Sequence, residues 1–347
     1  MADSANQHYV PQFYFRGFSA DYRSVCVLNR STGKTIPIAS IKGQASKKYF
    51  YGDADVEKRL QQVDGAFSGI VRRFRECRTF DELSSDDYYV LLQNIMLQKS
   101  RTMSARSRSK AMQDRLLQLH LEMRVHADES LDDETRQAFL SLSTEAEADP
   151  RQYQAVEMSI ALECVDSLLD LLPVVIENKT NRPFIFGDAP VVFSNPHLRQ
   201  VRLRGVLGTQ TPGLMIFYPL SPSRQLVFLD EKVYRLKHKK LDFLPVRDLL
   251  DISTLNRLQI QNAYSAAYFH DYKFAQYVTS LWEQERAHLA DNRGAVVEAP
   301  GFDQNGEPMG DIFHSFERQL PLIPKLSFVQ HNELPEREYR FARRESR

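Results

Sequence analysis

The spacing of apolar residues changes along this chain of 347 residues, and that change limits the fold more than any single motif does. Residues 24–37 contain two short strand-like runs around a turn-forming stretch at 30–33, which is the pattern of a β-hairpin. From residue 55 apolar side chains recur every three or four positions, as on the buried face of a helix. From residue 174 short apolar runs return, separated by turn residues. The sequence therefore predicts an α+β fold with long central helices between two β-rich portions.

The helical stretches carry recognisable end signals. Ser84 or Ser85 can cap a helix start, and Pro173 is typical of a helix end. No proline or glycine interrupts the chain from Ser84 to about His126, which permits one long helix or two joined by a bend at 104–109. The predicted helices cover residues 55–77, 84–126, 151–172, 246–269 and 273–290.

Several runs of the second half are apolar at consecutive positions, which predicts a mostly buried sheet with helices packed on it. We expect one principal α+β domain over residues 1–300 and a polar, partly flexible extension over 301–347, with a solvated tail from Asn332. The predicted sheet strands cover residues 48–51, 174–176, 184–186, 191–193, 214–218 and 225–229.

Composition excludes several functional classes. Lys plus Arg equals Asp plus Glu at 45 each, so no global field attracts nucleic acid or an anionic membrane. No segment approaches the roughly 18–20 apolar residues of a membrane helix, and the first residues do not have the pattern of a secretion signal. Three separated cysteines without a CxxC pair argue against a disulfide framework or a cysteine zinc site. We therefore expect a cytoplasmic protein.

The common catalytic motifs GxSxG and HExxH, a Walker loop and a GxGxxG after a strand are all missing from the sequence. Polar groups within apolar surroundings are the remaining guide to a site. The first such place is residues 8–18, where proline can open a short helix and aromatic residues would anchor it. His8, Gln12 and Arg16 then fall on one line. Either they form part of a site, or they satisfy neighbouring backbone groups.

The second place lies on the long central helix, where Asn94, Gln98 and Arg101 share one stripe. Two carboxamides and a guanidinium suit the binding of a phosphate or carboxylate, although a solvated helix face explains them too.

Further basic residues follow directly on the same predicted helix. Arg106, Arg108 and Lys110 could contact a nucleic acid or nucleotide, but no aromatic residues lie between them to stack on bases. An exposed helix face is the alternative interpretation. Any nucleic-acid partner would therefore be held by a local patch.

The third place is Asp188, on a short turn between two apolar runs. It can cap the turn, or it can act as a general base or a ligand of a divalent metal. A metal would need more ligands, and His8, His197 or Glu163 could provide them. No spacing in the sequence predicts that these residues converge, so the cofactor stays open.

The same places carry a family resemblance. Residues 8–18, with the pattern HYVPQ-x-Y-x-R-x-F, resemble the opening motif of the bacterial and phage-associated family catalogued as domain of unknown function 4238. Residues 98–102 resemble that family's Q-x-x-R-T element, and residues 187–191 resemble its turn of pattern T/G-S/D-x-P-V. Residues 217–222 resemble its F-x-P-L-S-P strand end. Asn256 lies where members tend to carry an asparagine. The resemblance spans about residues 8 to 270.

This resemblance implies that polar residues from distant segments form one pocket, with Asn256 among its ligand-binding residues. The other members of the expected pocket are His8, Gln12, Gln98, Arg101 and Asp188. Two functions follow as hypotheses. The first is a hydrolase acting on a phosphodiester or nucleotide, with His8 as acid or base, Asp188 as base or metal ligand and Arg101 holding the anion. The second is a non-catalytic sensor or binding component of a phage-defence or mobile-element system. A purely structural role for the motifs is the third alternative.

Overall fold

The computed structural model describes residues 6–52, 54–201, 204–237, 242–290, 292–303 and 305–332, and it has the predicted α+β class. Most of the predicted tail, from residue 333 on, lies outside these residues. No helix in the described ranges combines the length and apolarity needed to cross a membrane. The helices are α1 (Gln12–Arg16), α2 (Ala54–Glu76), α3 (Ser85–Ser100), α4 (Met103–Ala127), α5 (Asp133–Ser143), α6 (Pro150–Glu163), α7 (Leu249–Asn262) and α8 (Ala275–Glu285).

The strands form two larger sheets and several two-stranded pairs. The strands are β1 (Asn6–His8), β2 (Ser24–Asn29), β3 (Thr35–Ser40), β4 (Ser46–Lys48), β5 (Leu172–Asn178), β6 (Phe186–Gly187), β7 (Val192–Ser194), β8 (Met215–Ser221), β9 (Arg224–Leu229), β10 (Tyr234–Leu236), β11 (Phe243–Val246), β12 (Ala266–Phe269), β13 (Gly294–Phe302), β14 (Pro308–Glu317) and β15 (Val329–His331).

The five-stranded sheet has the order β11-β5-β9-β8-β7, and both of its faces are covered. Within β5, Val175 belongs to the core that contains α1, α2 and α3. Its neighbours Val174 and Ile176 belong to a second core with α7 and the C-terminal segment. Because successive side chains of a strand point to opposite faces, a sheet covered on both sides is apolar at every position. The predicted buried sheet is confirmed.

A four-stranded sheet of order β3-β2-β12-β6 contains the predicted N-terminal hairpin, β2 and β3. Aromatic residues of α1 pack against this sheet, as the sequence predicts. The ring of Phe15 makes edge contacts with Phe186 and Tyr268, with ring centroids 5.1 and 4.8 Å apart. Tyr14 stacks on Tyr218 of the other sheet at 5.1 Å. Helix α1 is therefore anchored between the two sheets by its apolar side.

Two predicted helix boundaries in the central region are wrong. The break between α3 and α4 falls at residues 101–102 and not at 104–109, because the Thr102 hydroxyl accepts from the Ala105 amide and starts a new helix. Helix α6 ends at Glu163, and a 3-10 turn (Val165–Leu168) follows before the strand β5. The apolar positions up to Leu172 had suggested a continuous helix, but Leu172 begins that strand.

The predicted helix over residues 246–269 is also wrong at both ends. Strand β11 ends at Val246, and Asp248 caps α7 by accepting from the Leu250 amide. Strand β12 is buried at all of its positions, and a short buried apolar run gives no period by which to separate strand from helix. Helix α8 is likewise shorter than predicted, and the short strand expected at 48–51 lies at 46–48.

The C-terminal hairpin β13–β14 packs along α4. Gly294 permits this packing, because a Cβ atom there would lie 1.9 Å from the Arg108 carbonyl oxygen. The hairpin also places Glu317 within 2.8 Å of the Lys99 ammonium group. The boundary expected after residue 300 falls inside β13, which packs along α4.

Candidate functional site

His8, Gln12 and Arg16 lie at one side of α1, opposite its buried aromatic residues. Pro11 precedes the helix in an extended conformation, with φ −65°, which suits a proline at a helix start. Arg16 Nη2 donates to Gln12 Oε1 at 3.4 Å, and Gln12 Nε2 lies 3.5 Å from His8 Nε2. The structure brings these three predicted residues together along one edge of an open cleft of about 370 Å³.

The opposite edge of this cleft comes from α2, which the sequence did not single out. Glu57, Gln61 and Asp64 are spaced at i, i+4 and i+7 and all line the cleft. Gln61 Nε2 donates to Glu57 Oε1 at 3.2 Å. Their spacing was the available signal, but charged residues on an amphipathic helix are ordinarily a solvated face. We call this space, between the polar stripes of α1 and α2, the α1–α2 cleft.

Arg101 lies beneath the α1–α2 cleft. Its guanidinium binds both carboxylate oxygens of Asp64, at 2.7 and 3.0 Å, although the arginine is only 1% exposed. Its Nη2 also donates to the His8 carbonyl oxygen at 3.4 Å, and the Tyr51 hydroxyl donates to the same oxygen. Because the cation is committed to Asp64, Arg101 positions the two stripes rather than an incoming anion.

The environment changes the chemistry of two groups in the cleft. Burial raises the pKa of the Glu57 carboxyl group, and the hydrogen bond from Gln61 only partly offsets it. A carboxyl group with a raised pKa can donate a proton near neutral pH. Burial alone would lower the pKa of Arg101, but Asp64 outweighs it and the pKa is raised. Arg101 therefore stays charged.

The orientation of His8 follows from its hydrogen bonds. Its Nε2 lies 3.1 Å from the Lys42 carbonyl oxygen. A carbonyl oxygen only accepts, so we assign the proton of a neutral His8 to Nε2. Gln12 Nε2 is then a packing contact and not a hydrogen bond. Nδ1 is consequently the basic nitrogen of this histidine.

The other two residues of the predicted α3 stripe make internal contacts. Gln98 Nε2 donates to the Tyr9 carbonyl oxygen at 3.0 Å, and Asn94 Nδ2 donates to the Tyr218 hydroxyl at 3.1 Å. Both residues are only 2% exposed. They tie α3 to the opening motif and to the central sheet, and neither lines the α1–α2 cleft.

Asp188 is fully buried and does not line this cleft. Its carboxylate accepts from the amides of Tyr264 and Ser265, at 2.6 and 2.9 Å, and from the Ser265 hydroxyl at 2.6 Å. Burial raises the pKa of Asp188, while these three hydrogen bonds lower it in part. The acid therefore holds the turn before β12, whereas the capping alternative expected bonds within its own turn at 187–190.

Asn256 is likewise fully buried, away from the α1–α2 cleft. Its Oδ1 accepts from the Ile185 amide at 3.0 Å, and its Nδ2 donates to the Pro183 carbonyl oxygen at 2.8 Å. It therefore satisfies the backbone beside β6. Gly187 is close to the same helix, since a Cβ atom there would lie 2.8 Å from the Gln259 carbonyl oxygen. Any side chain at position 187 would therefore require the helix backbone to shift.

The basic residues of α4 are engaged within the protein. Arg106 lies over the Phe50 ring at 3.6 Å and donates to the Phe50 carbonyl oxygen at 2.7 Å. Arg108 pairs with Glu317 at 3.4 Å. Lys110 contacts Asp114 at 2.8 Å, while its side chain remains 45% exposed. Arg106 and Arg108 thus hold α4 against other segments of the chain.

Metal binding gains no support from the described part of the chain. Within it, no group of three or more His, Cys, Asp and Glu side chains is arranged to hold a metal ion. A larger cleft of about 620 Å³ lies between α3 and β5, with Phe80 and Tyr88 among its mainly apolar lining. None of the predicted site residues lines it.

A family model described as "Protein of unknown function (DUF4238)" matches residues 6–273. The matched region includes both helices of the α1–α2 cleft and the buried residues that support them. Comparisons with curated proteins and with solved structures found no match.

Proposed function

Since the chain belongs to the DUF4238 family, whose description assigns no activity, we propose its function from the α1–α2 cleft: hydrolysis of a phosphodiester or nucleotide. One observation carries the proposal. An exposed guanidinium, an imidazole and a carboxyl group with a raised pKa line the same open cleft. These are the groups that a metal-independent phosphodiester hydrolysis requires: an anion ligand, a base and an acid.

In this proposal Arg16 binds the non-bridging phosphate oxygens. Nδ1 of His8 accepts a proton from a water molecule as the water oxygen forms its bond to phosphorus. The bond from phosphorus to the leaving oxygen breaks, and the protonated Glu57 gives its proton to that oxygen. The imidazolium then returns its proton to the Glu57 carboxylate through solvent, which restores both groups. Asp64 and Arg101 hold the two helices at the required separation.

The role of base or metal ligand expected for Asp188 is not part of this proposal, because its oxygens already accept three hydrogen bonds in the interior. The nucleic-acid patch expected at Arg106 and Arg108 is not part of it either, since both side chains bind other parts of the chain. The α1–α2 cleft alone supplies the chemistry.

The test is turnover of bis(p-nitrophenyl) phosphate and of a panel of cyclic and linear nucleotides by the purified protein. We expect His8→Ala and Glu57→Gln each to lower kcat by about 100-fold or more, as loss of a general acid or base does. Arg16→Gln should mainly raise KM. Arg59→Gln, which removes an exposed arginine of α2 that does not line the cleft, is the matched control and should change neither constant. Turnover that is absent, or that ignores His8 and Glu57, contradicts hydrolysis.

Binding without turnover is the second candidate, as in a sensor or binding component of a phage-defence system. The polar groups of the cleft already contact one another, through His8–Gln12–Arg16 on one side and Glu57–Gln61 on the other. Such a network can grip a ligand without any reaction. Saturable binding of a fluorescent nucleotide that Arg16→Gln weakens, with no product formed, would favour this function.

A further inference from the structure

A second cleft, of about 450 Å³, lies where the C-terminal segment crosses β8 and β10. Arg199 and Lys325 line it and are exposed, and His197 and His331 line it too. Among the described residues no Asp or Glu side chain lines this cleft, although the buried Asp230 lies close enough behind it to act on His197. The charged side chains that line this cleft are therefore all cations. In the α1–α2 cleft, by contrast, two carboxyl groups and one exposed guanidinium line the space.

The two histidines contact each other directly. His197 Nδ1 lies 3.1 Å from His331 Nε2, and the rings stack with centroids 5.1 Å apart. Burial lowers the pKa of His197, and the neighbouring His331 lowers it further, while Asp230 offsets part of this change. His331 Nδ1 lies 2.9 Å from the Asn332 carbonyl oxygen, so it carries the proton of a neutral His331, and His331 Nε2 accepts from His197 Nδ1. The two imidazoles therefore bind each other and the backbone, and they fix this wall of the cleft.

The loop that carries His197 is fixed by buried polar residues. Asn195 is fully buried, and its Nδ2 donates to two backbone carbonyl oxygens, those of Val206 and Pro212, at 2.9 and 2.8 Å. The Tyr234 hydroxyl accepts from the His197 amide at 3.1 Å. Gly213, at φ +77°, is required here, since a Cβ atom would lie 2.5 Å from Cβ of His197. Such a supported loop is typical of a pre-organised site.

The rest of the cleft wall is apolar, and it comes from the strand β8 and from the C-terminal segment. Met215 and Leu326 are buried at 3% and 6% exposure, and Ile323 lies half-buried beside them. His331 is placed by β15, whose partner strand β10 sets Tyr234 directly opposite it. A ligand in this space would meet cations at one end and aliphatic side chains at the other.

We propose that this second cleft binds a small organic anion, in which a phosphate or carboxylate group is carried on a short apolar body. The oxyanion contacts Arg199 and Lys325, and the apolar body packs on Ile323 and Met215. This site is separate from the α1–α2 cleft, and the proposal does not depend on hydrolysis there.

Isothermal titration of the full chain with hexyl phosphate, hexanoate, inorganic phosphate and hexanol tests the proposal. We expect one-to-one binding of hexyl phosphate or hexanoate, and the tighter of the two identifies the anionic group. Arg199→Gln and Lys325→Gln should each weaken it about fivefold, as loss of a partly exposed ion pair does, and together about 25-fold. Both residues are on the surface, so the variants should fold.

Ile323→Ser should weaken hexyl phosphate but leave inorganic phosphate unchanged. Lys273→Gln removes a lysine with a 66% exposed side chain outside the cleft, and it is the matched control. The proposal is overturned if neither hexyl phosphate nor hexanoate binds, if hexanol binds as tightly as they do, or if the double variant retains wild-type affinity.

Discussion

Arg101→Met should lower the free energy of unfolding by about 3 kcal/mol, because it breaks an ion pair whose cation is buried. The guanidinium is 1% exposed and binds both oxygens of Asp64. Removal of one partner leaves the other charge uncompensated, which costs about 3–5 kcal/mol in the interior. The Asp64 side chain retains 19% exposure, so water partly solvates the remaining carboxylate and the lower value applies.

The assay is a double-mutant cycle of Arg101→Met, Asp64→Asn and the double variant, followed by thermal and urea unfolding. A loss of about 3 kcal/mol corresponds to roughly 4 °C in the unfolding midpoint of a chain of 347 residues. The double variant should cost at least about 1 kcal/mol less than the two single changes added together, because the partners contact each other.

Arg73→Met is the matched control. Arg73 pairs with Asp87 at 2.5 Å, but its own side chain is 48% exposed, and the Asp87 carboxylate keeps the hydrogen bond from the Ser84 amide at 2.8 Å, so its loss should cost less than the loss of Arg101. The reasoning is refuted if Arg101→Met is no more destabilising than Arg73→Met. It is refuted equally if the losses of unfolding free energy for Arg101→Met and Asp64→Asn simply add in the double variant. Additivity would show that the pair does not join α2 to the end of α3.

Four other substitutions test separate features of the structure. Asp188→Asn should cost about 1–3 kcal/mol in thermal unfolding, because an amide replaces one acceptor of three buried hydrogen bonds, while activity per folded molecule is unchanged. The Glu57→Gln variant should gain stability relative to the wild type as the pH rises from 4 to 7. Burial raises the pKa of the Glu57 carboxyl group in the folded protein, so the wild-type protein loses stability as the pH rises above the unfolded pKa of about 4.3, and the variant does not. In limited proteolysis, Gly294→Ala should release the C-terminal hairpin, because its Cβ would meet the Arg108 backbone; Gly65→Ala, with open space around it, should instead stabilise α2 by about 1 kcal/mol.

The fold class and most elements could be predicted because their signals are local. Helix α2 has a clear apolar period, and Ser84 caps α3 as expected by accepting from the Asp87 amide. The errors arise where the signal depends on tertiary contacts. The apolar run up to Leu172 fits either a helix or a strand, and only its pairing with β9 decides between them.

The candidate site likewise contains residues that local spacing predicted and residues whose role depends on tertiary contacts. The α1 stripe of His8, Gln12 and Arg16 followed from sequence spacing, because the helix is short and its aromatic residues mark the buried side. Asp188 and Asn256 drew attention as polar groups among apolar ones. Both are buried, and they accept hydrogen bonds from backbone amide groups and do not line a cleft. The opposite stripe of α2 was missed, since nothing local distinguishes it from a solvated face.

The two clefts differ in which part of the chain builds them, and this difference bears on their functions. Both edges of the α1–α2 cleft lie inside the family match, which ends at residue 273. The second cleft takes His197 and Arg199 from the matched part but Lys325 and His331 from beyond it. A relative whose chain stops at the matched region would contain the elements of the first cleft and lack one wall of the second. The α1–α2 cleft is therefore the better candidate for a function shared across the family, whereas binding of an organic anion would belong to chains that carry the C-terminal segment.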